Sequence, residues 1–181
     1  MDGPLVGGPE RRWIALAEPD PTWPDRFRVE RDTVVAALRD RALRVDHIGS
    51  TSVPGLAAKP IVDLDLSVAD PDDEDAYLPD LLAAGYVLRV REPGHRMVRR
   101  PTLDVHVHVC AAGSDWERRH LLFRDHLRAH PDDRALYEQV KRGLAGREWA
   151  DTNDYADAKS EVIQAITARA EAWAAVTGWR P

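Results

Sequence analysis

The sequence has a single cysteine, Cys110, so no disulfide can form within the chain and no disulfide framework shapes its fold. Cys110 follows an apolar strand pattern and reads as a small packing residue. No apolar run approaches the ~18 residues that a membrane-crossing helix needs. Residues 1–10 lack the basic and apolar regions of a signal peptide, which predicts a soluble, cytoplasmic protein with no membrane partner. An excess of basic charge is missing too. The 25 Lys and Arg stand against 31 Asp and Glu, a net charge of −6, so nucleic acid is not an expected partner. Internal repeats and low-complexity segments are also absent.

What is present fits an ordinary folded chain. Of 181 residues, 44% are hydrophobic and 31% charged, which suits one domain at about 13–175, with residues 1–12 as a flexible tail. Phe27, Val34, Val35 and Leu38 recur at helical spacing, so a helix is predicted from 22–25 to about 41, with Pro24 in its first turn. Strand patterns follow at 43–48 and 61–68, a helix at 75–84, and further strands at 86–90, 95–100 and 103–110. From Trp116 the pattern turns helical: 116–129, 133–145, and a third helix capped by Asp151 or Thr152 and reaching Trp173. This order predicts an α/β (α+β) fold: a mixed β-sheet with flanking helices in a core at 25–112, then a helical C-terminal part at 116–173.

Two features carry chemistry. Gly49-Ser50-Thr51-Ser52 breaks the first strand. A glycine there lets the backbone approach a ligand, and the hydroxyls and backbone N–H groups that follow could face an anion. Asp63 and Asp65 lie two apart on an alternating strand, so both project from one face, about 7 Å apart. Two ionised carboxylates on one face repel each other unless water or a cation compensates. A Mg²⁺ ion held by carboxylates and substrate phosphates is a common solution. Asp104, on another alternating strand, is the candidate third carboxylate. Together these parts would draw a triphosphate into line for nucleotidyl transfer.

The run from His47 to Asp63, His-Ile-Gly-Ser-Thr-Ser-Val-Pro-Gly-Leu-Ala-Ala-Lys-Pro-Ile-Val-Asp, closely resembles the signature of the GrpB family. The resemblance continues at His106-Val107-His108-Val109, at residues 122–128, at Tyr137 with Lys141, and at Tyr155 with Lys159. It covers about residues 13–170. It implies a nucleotidyltransferase-like fold of the polymerase-β type, in a family with some members fused to a dephospho-CoA kinase. Carried over position by position, Gly49 and Ser50 match the phosphate-side turn, and Asp63 and Asp65 match the metal-binding pair. Asp104 departs from the family pattern.

His106 and His108 share a face with Asp104 in a regular strand. They fit a transition-metal site, a contact to a base or phosphate, or two half-buried imidazoles. Arg124 and Arg128, four apart on a helix, could grip a triphosphate or form a solvated stripe. Lys59 is placed for a phosphate, with Thr51 beside the turn, and Lys141 and Lys159 are more distant cations. Trp116, Trp149, Trp173 and Trp179 read as packing residues. The leading expectation is a magnesium-dependent nucleotidyltransferase-like protein that binds a nucleoside triphosphate or related phosphate compound, with zinc the less favoured ion. A noncatalytic nucleotide- or CoA-pathway module and a metal-dependent hydrolase centred on His106 and His108 are the rivals.

Overall fold

The computed structural model describes residues 5–6, 15–145 and 158–181. The expected third-helix cap at Asp151 or Thr152, together with Trp13, Trp149 and Tyr155, lies outside them. Of the expected tail, residues 5 and 6 are described, and there Leu5 bridges Val90 and the Val6 amide donates to Arg89 O at 2.8 Å.

Among the described residues five strands build the fold: β1 (Arg44–Ile48), β2 (Val62–Val68), β3 (Val87–Glu92), β4 (His95–Arg99) and β5 (Val105–Ala111). Their order in the sheet is β1-β2-β5-β4-β3. The pair β2–β5 is parallel and the other three pairs are antiparallel, so the sheet is mixed. Parallel neighbours need a crossover, and it is made here by α2 (Leu78–Ala83) and the β3–β4 hairpin.

The alternation of β2 decides which layer covers which face. Val62, Leu64, Leu66 and Val68 on β2, and Val105, Val107 and Val109 on β5, turn to one side. There they pack with Trp23, Val34 and Leu38 of α1 (Trp23–Leu38) and Leu78 and Leu81 of α2. Each fully buried Leu or Val is worth about 1.5–3 kcal/mol of removed apolar surface. Pro24 opens α1 as the sequence predicts, and the helix ends where Arg39 takes a positive φ of 52°.

The opposite face is polar and lies under α3 (Asp115–Ala129). The sequence Ser114-Asp115-Trp116-Glu117 starts that helix with Ser114 as N-cap, its side chain accepting from the Glu117 amide. Glu117 is itself buried, and Ser67 of β2 donates to its carboxylate. This contact pins the first turn of α3 to the sheet, so Trp116 and His120, one turn apart, look down on β5 and β2. Among the described residues, two further helices lie in the C-terminal part, α4 (Pro131–Ala145) and α5 (Ser160–Thr177). Val53, Leu56, Leu127, Tyr137 and Ile166 form a second core cluster where these helices meet the turn after β1.

Candidate metal and phosphate site

The register of the two central strands sets the site. Asp63 pairs with His106, and Asp65 with His108, on the polar face. His106 Nδ1 lies 3.2 Å from Asp63 Oδ1, and His108 Nε2 lies 3.8 Å from the same oxygen. One ligand atom from each of Asp63, His106 and His108 falls within 4.8 Å of the others, a group able to hold a metal ion. A relay stands behind His108. Its Nδ1 is 3.1 Å from His95 Nε2, and His95 Nδ1 is 3.1 Å from Glu92 Oε2. Trp116 stacks on His95 with ring centroids 4.0 Å apart. Partners of this kind fix the tautomer and orientation of a metal-binding imidazole.

Asp63 is held as an anion in this corner. Burial acts to raise the Asp63 carboxyl, but the hydrogen bond with His106 and the nearby His108 ring outweigh it and hold Asp63 well below the usual carboxylate range. Burial acts to lower His108, and the nearby Asp63 carboxylate outweighs that, so His108 titrates above the ordinary histidine value. Burial, reinforced by the charge on His108, lowers His95 to about 4, which leaves it a neutral link in the relay.

Gly49 serves this corner for a reason that differs from the one its turn predicts. Its φ is +67°, and a Cβ there would stand 2.7 Å from Asp63 Oδ2. The glycine makes room for the carboxylate as well as freeing the turn. Ser50 follows it at the start of a single 3₁₀ turn, Ser50–Ser52. Thr51 is buried, its hydroxyl donating to Ile61 O at 3.1 Å and lying 3.0 Å from His47 Nε2.

Two cavities meet at Gly49, Ser50 and Asp63. The larger, about 820 Å³, runs between α3 and α5 past His108, Trp116, His120, Phe123 and Ile163. The smaller, about 190 Å³, is lined by Lys59, Lys141 and Lys159, with Thr51, His106 and Tyr137. Lys141 lies 2% exposed in its wall and donates to Ser50 Oγ at 3.0 Å and to Ala57 O at 2.5 Å. Burial first, and the charge of Lys159 next, lower the Lys141 amine to about 7. Lys159 falls to about 8 by burial and by the charge of Lys59.

Gly49, Ser50, Thr51, Lys59, Asp63, His106 and His108 therefore come together. Asp65, Asp104 and Arg128 do not join them. Asp65 has no solvent exposure, and both its oxygens lie on His120 Nδ1, at 2.9 and 3.1 Å. Asp104 precedes β5, just after Leu103 with its φ of 65°, so the strand alternation that placed it with His106 does not reach it. Its carboxylate instead meets Arg26 of α1 at 2.7 Å. The expected trio of carboxylates is thus split among three surroundings. Arg128 donates twice to Ser52 O, at 3.0 and 2.7 Å. Arg124 lines the larger cavity while contacting His47 O at 3.2 Å and Asp125 at 2.7 Å. Arg124 thus binds α3 to β1, and Arg128 binds it to the turn that follows.

Sequence reasoning missed His95, His120 and Trp116 as parts of the site. His120 carried a signal, since it sits one turn after Trp116 on the helix facing the acids. His95 carried none, because its role depends on the register of β4 on β5.

Comparison with known proteins bears on the family and the fold. The family profile described as GrpB protein matches residues 13–169. A UPF0157 protein of Streptomyces coelicolor is 57% identical over 168 residues, covering 93% of this chain and 90% of that one. A dephospho-CoA kinase of Mycolicibacterium paratuberculosis is 33% identical over 197 residues, covering 93% of this chain but 48% of the kinase. The crystal structure of conserved protein GrpB from Enterococcus faecalis matches with a TM-score of 0.78 at 31% identity, over 88% of this chain and 99% of that one.

Proposed function

The chain belongs to the GrpB family, and from that premise we propose that it binds a phosphate-bearing ligand of the nucleotide class beside a divalent transition metal. In this reading Asp63, His106 and His108 hold the metal. Ser50, Lys59, Lys141 and Lys159 face the phosphates. The single observation that carries the reading is that three metal donors within 4.8 Å stand where a lysine-lined niche opens into a larger cleft.

The donor set selects the ion. Two imidazoles and one carboxylate suit zinc, manganese or iron, whereas magnesium prefers oxygen ligands in near-octahedral geometry. A magnesium site of three carboxylates fits poorly, because Asp65 is engaged by His120 and Asp104 by Arg26. A metal at Asp63 would supply positive charge to a phosphate oxygen. The lysines would add charge from the other side, and Thr51 would hold the turn. The cleft of about 820 Å³ falls within the ~300–1,000 Å³ of small-molecule sites. A relative named for dephospho-CoA, a nucleotide-containing compound, supports the same class. Nucleotidyl transfer is the reaction this site would serve. Binding without turnover is the second reading, favoured by the burial of Asp65.

Calorimetry decides. The protein is titrated with Zn²⁺, Mn²⁺ and Mg²⁺ in turn, then with ATP in the presence and absence of the tightest ion. The expected result is one site per chain, zinc or manganese above magnesium, and ATP binding that strengthens with metal. A folded protein that takes up neither metal nor ATP would overturn the proposal.

A further inference from the structure

The Ser50–Lys141 contact is not explained by phosphate binding alone. A lysine that only attracts an anion keeps its ammonium in reach of solvent, where charge is cheaply held. Lys141 does the opposite. It comes from α4, on the apolar face that also carries Tyr137 and Leu144, and its amine reaches across to the turn after β1. Two acceptors hold it, Ser50 Oγ at 3.0 Å and Ala57 O at 2.5 Å. Its Nζ lies 4.7 Å from the centre of the Tyr137 ring. The backbone carbonyl can only accept, so it fixes one N–H. When the amine is neutral, its lone pair is left for the hydroxyl of Ser50.

We propose that Ser50 and Lys141 form a nucleophile and general-base pair directed at phosphorus. The inference rests on the reading of the lysine-lined niche as a phosphate site. Ser50 lines both cavities, at their junction, and so meets a ligand that enters either one. Lys59 and Lys159, lining the same niche, supply positive charge for the nonbridging oxygens. In the step itself a bond forms between Ser50 Oγ and phosphorus. The bond from phosphorus to the leaving group breaks with its electron pair. The serine proton passes to Lys141 Nζ and from there to the leaving group. The products are a phosphoserine and the protonated leaving group.

The surroundings of Lys141 set the pH at which this pair works. Burial is the largest influence, followed by the positive charge of Lys159. Glu138 opposes them, while Arg142 and Lys59 add to the lowering. Glu138 and Arg142 lie on α4, Lys59 on the loop before β2, and Lys159 just before α5. Together they bring the amine to about 7, so a large fraction is neutral near physiological pH.

A fluorophosphonate reagent tests the pair on the full chain, because it phosphonylates activated serines and releases fluoride. Intact mass and peptide mapping read the site, and the labelling rate is measured across pH. The expected result is a single modification at Ser50, with a rate that rises through a midpoint near 7. Ser50→Ala removes the label. Lys141→Arg and Lys141→Met each lower its rate by about a hundredfold or more, with thermal melts confirming that the variants fold. A folded wild type that leaves Ser50 unlabelled, or a folded Lys141→Arg that labels at the wild-type rate, overturns the inference. Titration with inorganic phosphate runs alongside. Phosphate binding without labelling defeats the pair but leaves the niche, whereas failure of both defeats the pair and the niche together.

Discussion

His120 Nδ1 lies 2.9 and 3.1 Å from the two carboxylate oxygens of Asp65, and this contact separates two acids that share one face of one strand. Asp63, two residues away, keeps an oxygen for His106 and His108. Asp63 and Asp65 therefore have different tasks. Asp63→Ala is expected to abolish metal uptake. Asp65→Asn is expected to leave a metal site but lower stability, by roughly 1.5–3 kcal/mol for a charge-assisted bond weakened in the interior. Urea unfolding and metal titration of both variants check this. Equal loss of metal affinity in the two would show that Asp65 is a ligand after all.

His95 and Glu92 stand behind His108 as positioning residues. His95→Ala should weaken metal affinity by about ten- to a hundredfold, the usual effect of removing a partner that orients a ligand. Glu92→Gln should do less, since its side chain is partly exposed. Affinity for zinc, measured by competition with a chromogenic chelator, separates this from a structural role, which would lower the melting temperature and leave affinity alone.

Gly49→Ala should fail twice over. Its φ of +67° strains any L side chain by about 1–2 kcal/mol. The new methyl would also press on Asp63 Oδ2 at 2.7 Å. A lower unfolding midpoint together with weaker metal binding is the expected pair of results. A variant that loses stability but binds metal normally would show that Asp63 has room to move.

The pH dependence of stability carries the mark of Lys141. Its folded pKa, about 7, lies below the ordinary lysine value of 10.5. The unfolded chain thus binds more protons between those values, and stability rises with pH across that window. Below about 7 the full cost of the buried ammonium is present. Unfolding of wild type and Lys141→Met at pH 6 and pH 9 tests it. The wild type should gain on the variant at the higher pH, and a constant difference between them would refute the assignment.

Much of the fold was legible in the residues. The alternation from Val62 to Val68 marked β2, and its split into an apolar and a polar face is the split between the α1–α2 core and the site. Pro24 marked the start of α1, and apart from the last helix, described from Ser160 while its expected cap lies outside the described residues, the expected bounds of the strands and helices differ from the observed ones by a few residues. The turn at Gly49 and Ser50 and the acid at Asp63 are marked by their local chemistry together with the GrpB resemblance, and the structure sets them side by side. Asp104 was misplaced because alternation was extended past Leu103, whose positive φ breaks it. The histidine relay stayed hidden because it needs β4 beside β5, a nonlocal pairing. Lys141 offered a clue that went unused. Tyr137, Lys141 and Leu144 are spaced four and three apart, so the lysine falls on the buried face of its helix.

The lysine-lined niche draws Lys59 from the loop before β2, Lys141 from α4 and Lys159 from the residue preceding α5. Three stretches of chain thus converge on one small space, each bringing an amine that, when protonated, pushes the others away. An anion seated among them would reverse that push and act as a clasp. The seam between the sheet and its last two helices would then be tighter in the loaded protein than in the empty one, and the C-terminal part would register whether the niche is full.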